Sequence, residues 1–211
     1  PIEKRGESIG YINGAGDAIP ESLKQIGYQV TTIAPSEITQ ENIKHFDAIV
    51  VGIRAYNTVD EMAFKKPVLD EYVSNGGTLI VQYNTSRGLV TEDFAPLPLK
   101  LSRDRVTDEN AAVSFLVPNH NVLNFPNKLS QSDFEGWVQE RGLYFPNEWD
   151  EGYTPILGMN DKDETETKGS LLVARVGKGH YVYTGLSFFR ELPAGVSGAY
   201  RLFANLLSLG K

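Results

Sequence analysis

Residues 48–53 are apolar apart from one glycine, show no alternation and are rich in β-branched side chains. That is the pattern of a strand covered on both faces, as in the centre of a parallel sheet. Residues 78–83 repeat it, and shorter runs at 8–13 and 29–33 predict two further strands. Helical segments fall between them. Residues 20–26 open on Pro20 and Glu21 and stop at Gly27; residues 39–46 place Thr39 and Asn42 at capping distance. Residues 61–75 carry Phe64, Val68, Leu69, Tyr72 and Val73 near a 3.6-residue period and end at Gly76-Gly77. Four strands alternating with three helices predict an α/β fold, a three-layer parallel sheet of the flavodoxin-like kind.

Beyond residue 90 the pattern changes. Prolines at 96, 98, 118 and 126 keep residues 91–129 out of regular helices, with one strand expected at 111–117. Residues 133–149 mix Phe134, Trp137, Tyr144, Phe145 and Trp149 with acids and Arg141. Strands are expected at 154–157 and 170–176, a solvated acidic loop at 161–168, a hairpin turn at Gly177-Lys178-Gly179 and a closing amphipathic helix at 198–209. This half reads as a β-rich C-terminal addition. No repeat or linker divides the chain, so residues 1–211 are expected to form a single domain.

Composition narrows the function classes. A chain of 211 residues, 41% hydrophobic, can bury a proper core. Its net charge of -7 and the absence of any Lys/Arg run of about five or more argue against a nucleic-acid partner, and its longest apolar runs fall far short of the roughly 20 residues of a membrane span. With no cysteine there is no thiolate nucleophile, disulfide or Cys-based metal site. Pro rather than Met at position 1 predicts a piece of a longer protein whose leader, if it has one, lies outside this sequence.

Five stretches together carry a resemblance: residues 10–17 (GYINGAGD), 46–58 (FDAIVVGIRAYNT), 72–85 (YVSNGGTLIVQYNT), 136–146 (GWVQERGLYFP) and 177–190 (GKGHYVYTGLSFFR). They resemble the C-terminal region of multidomain PIG-L/LmbE-type deacetylase proteins of Bacteroidetes-like bacteria. That region is similar in turn to the class I glutamine amidotransferase-like fold, which includes ThuA-like proteins. The resemblance implies an extracytoplasmic, periplasmic location and a second domain of the same polypeptide as partner. It also exposes a departure. Glutamine amidotransferases place a Cys on the sharp turn after a central strand, with His and Glu further along; here the turn matched to it is Gln82-Tyr83-Asn84-Thr85, without a thiol. The PIG-L metal motif is also absent, so any deacetylase chemistry is expected outside these residues.

Ligand sites in open parallel sheets lie beyond the carboxyl ends of the strands. Arg54, Tyr56, Asn57, Tyr83, Asn84 and Arg87 fall there and predict a polar, aromatic rim suited to a sugar or another neutral polar molecule; alternatively Arg54 and Arg87 pair with carboxylates such as Asp133 or Glu140 to pin loops. Asp17, after Gly14-Ala15-Gly16, lines the same end if the glycines cradle a ligand, or simply caps the first helix. Trp137 and Arg141 are candidates for stacking on a sugar, or for closing the core. His120, Asp133 and Glu140 are the candidate acid/base groups if the chain is instead a hydrolase of sugars or amides. Three scattered histidines make no metal site, and neither metal nor cofactor is expected.

Overall fold

The computed structural model describes residues 1–211. In chain order its first half contains β1 (Ser8–Ile12), α1 (Ile19–Gln25), β2 (Gln29–Thr32), α2 (Gln40–Ile43), β3 (Ala48–Val51), α3 (Ala55–Thr58), α4 (Lys66–Ser74) and β4 (Thr78–Gln82). The second half adds β5 (Leu99–Val106), β6 (Ser114–Phe115), β7 (Gly142–Trp149), β8 (Tyr153–Pro155), β9 (Leu157–Gly158), β10 (Leu171–Val176), β11 (Gly179–Thr184), α5 (Phe188–Glu191) and α6 (Ser197–Leu207). Seven strands form the central sheet in the order β2-β1-β3-β4-β11-β10-β8, parallel from β2 to β11 and antiparallel at β10 and β8.

The period of two along each strand divides the core. Val50, Ile80, Val182 and Val173 face α1 and α6, where they meet Leu23, Leu202, Phe203 and Leu206. Ile49, Val81, Tyr183 and Leu172 face the other way, onto Ile43, Leu69, Tyr72 and Val73 of α2 and α4. Because both faces are covered, β3 and β4 have no polar face to show, which is why their sequences read as unbroken apolar runs.

The four-strand, three-helix alternation of the first half is present, and Thr39 caps α2 by accepting from the Asn42 N–H at 3.3 Å. Two expectations are corrected. The helix over 61–75 is shorter: residues 60–64 form a 3-10 turn and α4 begins only at Lys66, because Pro67 cannot donate to a preceding helical turn. The strand at 111–117 shrinks to the two residues of β6. The β-rich second half divides: β8, β10 and β11 extend the main sheet, while β5 and β7 form a bulged antiparallel ribbon and β6 and β9 a second two-stranded pair. The acidic run is the largely exposed loop expected, tied down at one end where the Asp161 carboxylate accepts from the backbone N–H groups of Thr107 and Asp108 at 2.9 and 2.8 Å.

Candidate functional site

The turn that leaves β3 defines the site. Arg54 lies between β3 and α3 with φ 57° and ψ 22°, left-handed for a residue that carries a side chain. It is a sharp strand-to-helix turn, an elbow that sets a side chain at the carboxyl end of the sheet, where α/β proteins place their sites. The turn matched to the amidotransferase Cys, residues 82–85, is a different one: the chain after β4 runs on without a helix, and no residue from 82 to 85 has positive φ. The elbow is locked from two sides. The Arg54 N–H donates to the Tyr83 carbonyl at 2.8 Å, and Gly14 packs so closely beneath that a Cβ there would collide with the Ile53 carbonyl and the Ala55 backbone.

The Arg54 side chain contrasts with its neighbours. Its guanidinium makes no ion pair, and its Nε is buried with no hydrogen-bond partner. Tyr83, next to it, sits between Tyr144 and Phe189, with ring centroids 6.2 and 5.4 Å away. Burial holds the Tyr83 hydroxyl above its ordinary value, against the pull of Arg54 and Arg190, so it stays protonated at neutral pH. Glu140 closes the cluster by accepting from Arg105 Nη2 at 3.1 Å and Arg190 Nε at 2.8 Å. Four residues other than glycine have positive φ: Arg54, Gln139, Tyr144 and Asp163. Arg54 and Tyr144 belong to this cluster and Gln139 adjoins Glu140, so left-handed backbone is concentrated at one end of the sheet. Such conformations cost about 1–3 kcal/mol each and tend to gather where a surface does a job.

The other sequence candidates have internal duties. The Tyr56 ring is buried and stacked on Phe94 at 4.7 Å, while Asn84 is fully buried and its Oδ1 accepts from the Tyr56 N–H at 2.9 Å. Asn57 ties two loops together, accepting from the Thr85 N–H and donating to the carbonyls of Thr85 and Arg87. Asp17 accepts from the Tyr11 hydroxyl and from the N–H groups of Ile19 and Ile53, which pins the start of α1 to the elbow. Trp137 is buried and donates to the Asp133 carbonyl; Arg141, also buried, donates to the carbonyls of Ala111 and Phe134. Asp133 pairs with Arg201 at 2.9 Å. The carboxylates expected to hold Arg54 or Arg87 are therefore held by other arginines, Glu140 by Arg105 and Arg190 and Asp133 by Arg201. Sequence reading missed Arg190, Phe189 and Arg105; only long-range strand pairing brings them to the rim.

No imidazole reaches this end. His45 precedes β3, His180 begins β11, and His120 lines the same cavity as His180, so all three lie by the amino ends of the strands. No cluster of three or more His, Cys, Asp or Glu side chains is arranged to hold a metal ion.

No protein-family model matches the chain, and no curated protein is significantly similar to it in sequence. Solved structures do resemble it. A cytoplasmic protein of Salmonella typhimurium, STM3548, superposes with a TM-score of 0.63 at 13% identity over 95% of this chain and 97% of that one. A GMP-synthase-subunit-A-like protein of Thermoplasma acidophilum gives 0.59 at 11% identity, over 99% and 96%. A ThuA-like protein of Bacteroides uniformis gives 0.54 at 13% identity, over 96% and 89%. The β-galactosidase of Rahnella sp. R3 gives 0.56 at 13% identity, with 96% of this chain lying on 31% of that one. At these identities the likeness defines the fold: flavodoxin-like, shared with ThuA-like and GMP-synthase-subunit-like proteins.

Proposed function

We propose that this chain is a non-catalytic accessory domain that binds a carbohydrate-like ligand at the rim around Arg54 and Tyr83, beside the catalytic domain of a PIG-L/LmbE-type deacetylase protein. The observation that carries the reading is the elbow itself. A sharp strand-to-helix turn carries an arginine whose guanidinium has no partner, next to an aromatic shelf of Tyr83, Tyr144 and Phe189. Tyr83 is itself buried between the other two rings, so it is half-buried Tyr144 and Phe189 that offer apolar surface beside the unsatisfied donors of Arg54, as a sugar ring asks. Hydrolysis at this rim lacks its parts: there is no thiol, no imidazole at this end, and Glu140 is engaged by two arginines. The same fold making up 31% of a β-galactosidase chain supports a place next to a separate catalytic domain. An extracytoplasmic location belongs to the same reading.

The test is a thermal-shift screen against neutral sugars and amino sugars, run on the native chain, Arg54→Ala and Tyr83→Ala. Ligand binding raises the melting temperature by mass action on the folded state. The expected result is a sugar-dependent rise lost in both variants. No response to any sugar overturns ligand binding and favours a purely packing role, for which the cover over the strand ends, Phe94 on Tyr56 and the Val90 N–H on the Tyr56 carbonyl, is already in place.

A further inference from the structure

A cavity of about 660 Å³ opens at the opposite end of the sheet from Arg54. Its floor is the cross-strand pair Thr154 and Val173; its walls are the loop carrying His120, the cross-strand pair Arg175 and His180, and the chain following α6. Its lining is chemically unusual for this molecule. The chain carries 27 acidic residues against 20 basic ones, yet not one carboxylate side chain lines this cavity. What lines it instead is Arg175, Lys211, two imidazoles and the amides of Asn119 and Asn121.

The hydrogen bonding leaves donors to spare. His120 Nδ1 accepts from the Val122 N–H at 3.0 Å, which fixes the proton of the neutral ring on Nε2 and makes that atom a donor. Arg175 has no carboxylate partner, and His180 Nδ1 is buried without any hydrogen bond. A buried polar atom left unpaired costs about 1–3 kcal/mol. The electrostatics agree. Burial holds both imidazoles below their ordinary value, and every charged neighbour acting on His180, namely Arg175, Lys211 and His120, pushes it the same way. No carboxylate acts on either imidazole; Asp47 offsets Lys211 alone, and the same cations repel a metal ion.

The geometry points to an anion-binding site in this cavity, taking a small phosphate- or carboxylate-bearing molecule with Arg175, His120 and His180 as its donors. An oxyanion supplies acceptors to the unpaired donors of Arg175 and His120 and offsets the positive charge of Arg175 and Lys211. The site is separate from the rim at Arg54, and neither depends on the other.

Three histidines make the test direct. The imidazole signals of His45, His120 and His180 are followed by NMR through a pH titration at constant ionic strength, in chloride, in inorganic phosphate and in malonate. Arg175→Gln and the rim variant Arg54→Ala are run alongside. The expected result is that phosphate, malonate or both raise the titration midpoints of His120 and His180 by about half a pH unit or more while His45 stays put. Arg175→Gln then weakens the saturating anion about tenfold, and Arg54→Ala changes nothing. The response to phosphate against malonate tells which oxyanion the cavity prefers. Equal movement of all three histidines, no movement in either anion, or an unchanged response in Arg175→Gln overturns the site. Arg175 is solvent-exposed, so its substitution leaves the fold intact and the comparison valid.

Discussion

Arg54 holds a conformation that costs an L-residue roughly 1–2 kcal/mol relative to glycine, and its side chain returns no hydrogen bond. Arg54→Gly should relieve that strain while adding back about 0.5–1 kcal/mol of chain entropy in the unfolded state. The expected outcome is a protein of unchanged stability or up to about 1 kcal/mol more stable in urea unfolding; a loss above 1 kcal/mol gives the guanidinium a structural role instead. Glu140 behaves in the opposite way. Its side chain is 8% exposed and pairs with Arg105 and Arg190, which are 52% and 36% exposed. Because both partners can rehydrate, Glu140→Gln should cost only about 1–2 kcal/mol rather than the larger loss of a fully buried pair. Arg190 would then be freed beside Tyr83, and urea titration of that variant checks the magnitude.

The ribbon of β5 and β7 is the element on which the rim depends. It sets Tyr144 beside Tyr83 and brings Arg105 to Glu140, and it is anchored by Phe145, fully buried against Gly142 and Gly185. Phe145→Ala should cost about 3–5 kcal/mol, read by denaturant unfolding, with the ligand response at the rim lost first. This was also the least legible part of the sequence. The segment that forms β5 exposes half of its side chains and holds Arg103, Asp104 and Arg105, while β7 contains Pro146, which argues against a strand. Their pairing across some forty residues, with register shifts, leaves no local period to detect. By contrast β3, β4 and their neighbours declared themselves, because burial on both faces writes an unbroken apolar run. Arg54, Tyr83 and Glu140 were likewise visible as strand-end or nearby polar residues. That Tyr56, Asn84, Trp137 and Arg141 are spent on internal contacts was not, since partners from distant segments decide it.

At the scale of the molecule the charge pattern sets the response to acid. His120 and His180 titrate below 6.5 in the fold because they are buried, whereas the unfolded chain takes up protons at 6.5. Below that pH the unfolded state therefore binds more protons, and stability falls as the pH drops. Further down, Asp47 and Asp161 add to the loss: burial raises each carboxyl, but backbone N–H donors outweigh it and hold both below 3.8. The expected profile is a decline in melting temperature starting near pH 6.5 and steepening near pH 4. In the double variant His120→Asn/His180→Gln the first part of that decline should flatten; if it does not, other groups carry it.

The two ends of the sheet thus divide the chemistry between them, and the division can be put as a mutational distance. At one end a sharp strand-to-helix turn is held in place by Gly14 and Tyr83, and an arginine occupies it. At the other end lie all the imidazoles the chain possesses. A thiol introduced by Arg54→Cys would arrive on that turn with no base in reach, and only a second replacement, bringing a histidine to the carboxyl end of β11, would give it one. Both positions would have to change before this turn carried a nucleophile beside its base.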